Sequence, residues 1–316
     1  MVLLGIFDAS IGVAWPSIRR ELHQPLAALG VLLLAQVPGF LVVTLGLGRL
    51  LPRFGARRMV IAAALLYALA ASLIGLAPWP GVIAGAALAG LAAGGIDAPL
   101  NAYVALRGER ALLHFLHSAW GFGTFLGPLL VTLLLLVGGA PRWSFLIIAA
   151  GQLLLALTSA AGHHWGDLTP TTGGHRGASL SMNLALGLFS FFIYTGVETA
   201  AGQWSFTVLT ERRGVPAAIA GILVSLYWAG LTAGRVAGGV AARAVRPGLL
   251  IQGGSLLAVL AAILFWWHPI PWIGLAALPL LGLGLAPIFP GLMTLTPERV
   301  GPAQAASAIG YQAAVA

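Results

Sequence analysis

The chain has 316 residues, of which 59% are hydrophobic and only 8% are charged, whereas a soluble domain carries roughly 25% charged residues. This composition excludes an ordinary soluble domain, and the absence of cysteine excludes disulfides, thiol catalysis and cysteine-based metal sites. The net charge of +8 comes from arginines in short gaps between apolar segments, which is typical of membrane topology and not of a nucleic-acid-binding face.

Eleven apolar segments follow one another along the chain. Most are long enough to cross ~30 Å of hydrocarbon as helices, which takes about 20 residues. The gaps are short and rich in Pro, Gly and Arg, and strand-type alternation is missing. The sequence therefore predicts an all-α membrane protein with segments at roughly 1–18, 26–48, 59–77, 81–106, 111–137, 143–162, 180–207, 216–242, 248–267, 271–293 and 302–316.

Arginine sets the expected orientation, because loops on the cytoplasmic side carry an excess of basic residues. A cytoplasmic N-terminus puts 11 arginines inside and 5 outside. Arg235 in segment eight could pair with an acid or snorkel to the cytoplasmic surface, and it is counted as inside because snorkelling is favoured. The inside set is Arg49, Arg53, Arg57, Arg58, Arg107, Arg110, Arg176, Arg235, Arg243, Arg246 and Arg299, and the outside set is Arg19, Arg20, Arg142, Arg212 and Arg213.

Segment one carries the first acid inside an apolar run, Asp8. Gly12 and Trp15 follow on the same helical face, where the glycine would open space and the Trp15 ring would offer a stacking surface. Asp8 is a candidate proton-coupling group, and the other interpretation is an interfacial residue. In segment two, Gln36 is a lesser candidate for solute binding.

Segment four reads GLAAGGIDAPLNAYVAL from Gly90 to Leu106. Asp97 and Asn101 are four residues apart, so both polar groups lie on one helical face. A carboxyl group in a low-dielectric pocket can take up and release a proton near neutral pH, which a proton-coupled carrier requires. Pro99 favours irregular backbone lining a cavity. The alternative is a hydrogen-bonded pair between helices.

Segments five and seven supply further candidates for solute binding. His117 and Trp120 lie on one side of segment five, and neutral histidine can donate a hydrogen bond or relay a proton. Segment seven carries Glu198, followed by Gln203 and Trp204, and sugars bind well to carboxylates, amides and aromatic planes together. Trp204 is equally well explained as an interfacial anchor.

The longest polar break, 163–179, reads as a linker between two halves. Asp8 and Glu198 match at an offset of 190, whereas Pro25 and Pro216, Gly39 and Gly230, and Gly48 and Gly239 match at 191. We predict a six-helix bundle over 1–162, a cytoplasmic linker over 163–179 and an incomplete C-terminal bundle over 180–316. Because six helices in the second half would need more chain, we also expect a fragment that lacks helix twelve.

The stretch from Gly48 to Arg58 reads GRLLPRFGARR and resembles the loop signature of the major facilitator superfamily, with Pro52 where the family has aspartate. The polar stretches of segments four, five and seven resemble the fucose:proton symporter and sodium-glucose transporter-like branch. The resemblance implies twelve helices in two bundles, alternating access, and a central cavity lined by helices one, four, seven and ten. It also implies a gating role for Gly48, Arg53, Gly55, Arg57 and Arg58.

These features predict a secondary transporter for a sugar or similar small polar solute, which is driven by proton-coupled symport through Asp97, Asp8 and Glu198. Sodium coupling, proton-antiport efflux of amphiphilic drugs, and a sensor or degenerate carrier that does not transport are the alternatives. No catalytic set, cofactor or metal site is expected. We expect a multi-pass protein of the cell (inner or plasma) membrane, monomeric, with the lipid bilayer and the solute as its partners and no nucleic acid.

Overall fold

The computed structural model describes residues 1–106, 110–162, 181–241, 244–267, 271–301, 304, 308, 311, 312 and 315. The predicted linker 163–179, most of the predicted segment 302–316, and Arg107, Arg176 and Arg243 lie outside these residues. The chain divides into two compact units, Met1–Thr171 and Thr172–Ala316.

Every regular element in the described ranges is helical, which confirms the predicted all-α membrane fold. The first unit contains α1 (Val2–Glu21), α2 (Ala28–Leu76), α3 (Trp79–Leu106), α4 (Arg110–Leu136) and α5 (Trp143–Ala161). The second contains α6 (Met182–Thr207) with a π-helical turn (Val208–Arg212), α7 (Ala217–Ala241), α8 (Pro247–Trp267), α9 (Pro271–Leu285) and α10 (Ile288–Val300). Within the described part of the chain, nine helices are long and apolar enough to cross a membrane.

The helix α2 contains two of the predicted segments. Its 49 residues are broken at Gly55, which has a φ of 73° and a ψ of 152°. At 1.5 Å per residue such a helix is far longer than ~30 Å of hydrocarbon, so 28–54 and 56–76 form two separate spans. Glycine adopts a positive φ without the steric cost that a Cβ would bring. The glycine in the predicted loop therefore makes the turn.

The two units share a close helix crossing. A Cβ added at Gly90 of α3 would lie 1.9 Å from the carbonyl oxygen of Gln36 in α2. A Cβ added at Gly282 of α9 would lie 2.1 Å from the carbonyl oxygen of Tyr227 in α7. Gln36 and Tyr227 are 191 residues apart, so the repeat places glycine at the same backbone contact in both units.

Two arginines join the second span of α2 to α5, which runs antiparallel to it. Arg57 donates from Nε and Nη2 to the carbonyl oxygens of Ser159 (3.0 Å) and Ala160 (2.6 Å), in the last turn of α5. Arg142, the N-cap of α5, donates to the carbonyl oxygens of Ile74 and Ala77, where α2 ends. Each helix is thus capped at its C-terminus by an arginine near the start of the other.

Arg142, which is counted among the outside arginines, also contacts a third helix. Its side chain is buried and its Nη1 atom also pairs with Glu21 at the end of α1, at 2.6 Å. Three helices therefore meet at one guanidinium group. Its planar set of donors satisfies carbonyl oxygens and a carboxylate at the same time.

Candidate functional site

In the first unit, Asp8 of α1 lies beside Trp120 of α4. A Cβ at Gly5 would lie 2.1 Å from the Trp120 carbonyl oxygen, and one at Gly123 would lie 2.1 Å from the Val2 carbonyl oxygen. These glycines let the two backbones approach closely. The Trp120 indole Nε1 consequently reaches the Asp8 carboxylate and donates a hydrogen bond to Oδ2 at 3.0 Å.

The second candidate coupling acid of this unit, Asp97, is bonded to Asn101 within α3. The Asn101 Nδ2 group donates to the Asp97 carbonyl oxygen and to its carboxylate Oδ1, both at 2.9 Å. The pair is one turn of a single helix, and α3 stays helical through Pro99, so the irregular backbone expected there is not seen. Asp97 is close enough to Asp8 for the two carboxyl groups to interact electrostatically.

The other candidates in this unit occupy different surroundings. Trp15 is fully buried, donates from Nε1 to the Leu26 carbonyl oxygen at 3.0 Å and packs against Trp79. Its ring therefore belongs to the packed interior and does not offer the open stacking surface that was expected. Gln36 is half-buried and its Nε2 atom lies 3.4 Å from the Leu32 carbonyl oxygen in its own helix, whereas His117 is exposed.

The residues assigned to gating lie around the turn at Gly55. Gly48, Arg53, Gly55 and Arg58 are exposed, and the Arg53 guanidinium lies 5.5 Å from the centroid of the Phe54 ring. Arg57 instead turns onto α5, as described above. Among the three arginines of the predicted gating set, Arg57 is the one for which the structure describes hydrogen bonds to another helix.

In the second unit, Glu198 of α6 stands in a polar cluster with two tyrosines and an arginine. Its Oε2 atom lies 3.1 Å from Nη2 of Arg235 in α7 and accepts a hydrogen bond from the Tyr194 hydroxyl. The Tyr227 hydroxyl donates to the Glu198 carbonyl oxygen at 2.9 Å. The snorkelling expected for Arg235 is therefore wrong, because the guanidinium pairs with an acid inside the unit.

Gln203 and Trp204 follow Glu198 on α6 and have different surroundings. Gln203 is buried, whereas Trp204 is half-buried and borders a shallow pocket together with Phe265 of α8 and Leu281 of α9. The other residues that line this pocket are small or apolar, apart from Ser205. Trp204 thus contacts a mainly apolar surface, which also fits its interpretation as an anchor.

Sequence reasoning missed several polar residues of these interiors. Tyr67 in α2 and Gln152 in α5 are fully buried, yet each is one of only a few polar residues in an apolar segment. For Gln152, the spacing along α5 could have indicated burial, because this residue continues the buried stripe of Phe145, Ile148, Ala149 and Ala156. Within the described residues, no group of three His, Asp or Glu side chains is arranged to hold a metal ion.

Comparisons with known proteins bear on this arrangement. Residues 1–316 match the family model described as Major Facilitator Superfamily. An uncharacterized MFS-type transporter of Yersinia pestis is 25% identical over 322 residues, which cover 98% of this chain and 84% of that protein.

Solved structures give the same fold. The nucleoside transporter NupG superposes with a TM-score of 0.80 at 14% identity, covering 99% of this chain and 85% of that one. A D-xylose-proton symporter superposes with a TM-score of 0.73 at 16% identity (99% and 86%). The E. coli fucose:proton symporter FucP superposes with a TM-score of 0.62 at 17% identity (99% and 87%). Each of these chains shares the major facilitator fold with the present one.

Proposed function

Because the chain belongs to the major facilitator superfamily, and is therefore a membrane transporter and not an enzyme, we propose that it carries a sugar or similar small polar solute by proton-coupled symport. The solute and the coupling ion are the new elements of this proposal. The protein is a multi-pass membrane protein, and we place it in the inner or plasma membrane with a cytoplasmic N-terminus. Labelling a cysteine placed at the exposed Ala27 from outside the cell would check that orientation.

The observation that carries the proposal is the arrangement of Asp8 and Asp97 in the first unit. Asp8 accepts a hydrogen bond from Trp120, and Asp97 accepts one from Asn101. Both acids stand in membrane-spanning helices. Ionised carboxylates are expensive in such surroundings, which favours uptake of a proton.

This chemistry gives a simple coupling rule. When a proton neutralises Asp97 or Asp8, the carrier loses the cost of a charged group in its dry, occluded state. The carrier with an ionised acid changes conformation less readily, so the solute moves only together with a proton. The same indole and amide that bind the acids can also bind a hydroxyl-rich solute, because sugars present both polar hydroxyls and an apolar ring face.

The cluster around Glu198 has a different role in this proposal. Arg235 already neutralises the carboxylate of Glu198 in place, so this acid does not need a proton to become part of a neutral group. We therefore assign coupling first to Asp97 and Asp8. We assign to Glu198 and its tyrosines the binding of solute hydroxyls. The D-xylose and fucose proton symporters that share the fold support a sugar as the solute class.

The test uses the purified chain in proteoliposomes with an internal pH indicator, to which hexoses, pentoses and nucleosides are added one at a time. We expect one class of solute to acidify the interior, and we expect Asp97→Asn to abolish this acidification while counterflow of the labelled solute persists. Glu298→Gln is the matched control, because it makes the same chemical change at an exposed acid. It should leave acidification unchanged.

Other results would redirect the proposal. Accumulation that requires sodium and proceeds without acidification would show sodium coupling. Acidification that survives in Asp97→Asn but is lost in Asp8→Asn would move the coupling group to α1. Alkalinisation on addition of an amphiphilic cation, with no response to any sugar, would favour drug efflux by antiport and overturn the proposal.

A further inference from the structure

Two polar side chains in the interior of the first unit have no hydrogen-bond partner among the described residues. They are the Tyr67 hydroxyl in α2 and the Gln152 amide in α5, of which both the oxygen and the nitrogen are unpaired. Both residues have a relative exposure of 0%. A buried polar group without a partner is unfavourable and rare, and it commonly indicates an ordered water molecule or ion.

The packing of the two helices brings these groups to one level. The second span of α2 and α5 are antiparallel, and a Cβ at Gly75 would lie 2.8 Å from the Leu146 side chain and 3.4 Å from the Arg142 carbonyl oxygen. Tyr67 lies eight residues before Gly75, which is about 12 Å toward the start of this span at 1.5 Å per residue. Gln152 lies about 9 Å beyond Leu146 and about 15 Å beyond Arg142, so it faces the level of Tyr67.

The same region borders Asp8. The Tyr67 ring makes an edge-to-face contact with the ring of Phe7, with centroids 4.9 Å apart. The Phe7 ring also contacts Phe145 of α5, at 5.6 Å. The next residue in α1 is Asp8, whose carboxylate interacts electrostatically with the Tyr67 hydroxyl. Asp8 of α1, Tyr67 of α2 and Gln152 of α5 are thus three polar side chains in a mainly apolar part of the first unit.

We propose that the Tyr67 hydroxyl and the Gln152 amide hold an internal water molecule next to Asp8, between α1, α2 and α5. The Gln152 amide group indicates that the bound species is a water molecule and not a cation. A cation would bind the Gln152 oxygen but repel its NH2 group, which needs an acceptor. A water molecule accepts from the NH2 group, donates to the amide oxygen, and can also bond the Tyr67 hydroxyl, within the usual two to four partners.

This hydration site gives Asp8 polar surroundings on the side of α2 and α5, in addition to its bond to Trp120. It makes Tyr67 and Gln152 positioning residues for the carboxyl group, since a bound water can hold or pass a proton beside it. The site follows from the packing of the first unit and stands whether or not the solute is a sugar.

Radiolytic hydroxyl-radical labelling of the purified full chain tests the site directly, because radicals formed at bound water label buried side chains that touch it. Tyr227 is the matched control: it is equally buried, but its hydroxyl is bonded to the Glu198 carbonyl oxygen. We expect Tyr67 to be labelled several-fold faster than Tyr227. Labelling of Tyr67 as slow as that of Tyr227 would overturn the proposal.

A double-mutant cycle gives a second, independent measurement. Tyr67→Phe and Gln152→Leu each remove part of a shared water site, so their effects on the thermal unfolding temperature should be strongly non-additive. The control pair is Tyr67→Phe with Thr132→Val, because the Thr132 hydroxyl is bonded to the Pro128 carbonyl oxygen and should act independently. If the site is dry, both single variants lose an unpaired polar group, melt higher and combine additively, which would refute the water.

Discussion

The two units have the same close helix crossing, but their buried acids have different hydrogen-bond and charge partners. In the first, the Gly90 backbone meets Gln36, and in the second the Gly282 backbone meets Tyr227 at the corresponding place. The acids of the two halves, Asp8 and Glu198, also correspond in the repeat, yet Asp8 is bonded to an indole whereas Glu198 is paired with a guanidinium group. The repeat has kept the backbone contacts and changed the side chains.

This difference has a physical basis. At each crossing a Cβ atom would lie about 2 Å from a backbone oxygen of the neighbouring helix. No side chain fits there, so each position requires glycine. The partner of a buried acid has no such steric requirement. The partner needs only to offset the free-energy cost of burying the carboxylate. A neutral hydrogen-bond donor or a cation can do this in part, and so can protonation of the acid itself.

The largest loss of stability should come from substituting the glycines at the two helix crossings. Gly90→Ala and Gly282→Ala each place a methyl group against a backbone oxygen, so each should destabilise the protein by about 3 kcal/mol. Gly48→Ala and Gly239→Ala are matched controls, because nothing lies within 4 Å of a Cβ at either position. Thermal unfolding in detergent would measure all four. A loss confined to one unit would show that the two crossings are not equivalent.

A smaller loss of stability should follow from removing Arg235, the charge partner of Glu198. Arg235→Leu leaves Glu198 buried without its charge partner, and we expect a loss of about 2–3 kcal/mol, at the low end for a buried pair because Arg235 is partly exposed. The double variant Arg235→Leu with Glu198→Leu should recover much of that loss. Recovery would be absent if Arg235 stabilised the unit through apolar packing alone, which the same unfolding assay would reveal.

The smallest change in stability should come from neutralising the acid of the first unit. Asp8→Asn keeps an oxygen that can accept from Trp120, so we expect a change below about 1 kcal/mol, together with loss of proton-driven uptake. Glu198→Gln should cost more stability than Asp8→Asn, because it leaves Arg235 without its carboxylate partner. Equal unfolding temperatures for both variants would remove the distinction between the units.

Much of the fold could be predicted from sequence because its signals are local. The apolar segments, and the gap that contains Gly55, follow from residue type and spacing. Asp8, Asp97, Asn101 and Trp120 were also identified, since a polar group in an apolar span is conspicuous. The bond between Asp97 and Asn101 joins residues one turn apart, which spacing alone makes possible.

Contacts between helices could not be predicted in the same way. Whether Arg235 reaches Glu198 or the surface depends on how α6 and α7 are rotated about their own axes, and the periodicity of one segment does not fix the rotation of another. The burial of Trp15 depends on the neighbouring Trp79 for the same reason. Tyr67 and Gln152 stand out only once their lack of partners is known, which requires the packed structure.

The reciprocal arginine caps also constrain how this part of the sequence can change in length during evolution. Arg57 and Arg142 hold opposite ends of the same helix pair, so the spans from 57 to 74 and from 142 to 159 must stay matched. Inserting one residue in either span would shift its far end by 1.5 Å and rotate it by about 100°, and would separate an arginine from its carbonyl oxygens. Substitutions can accumulate along these two helices, but insertions and deletions would have to occur in both together.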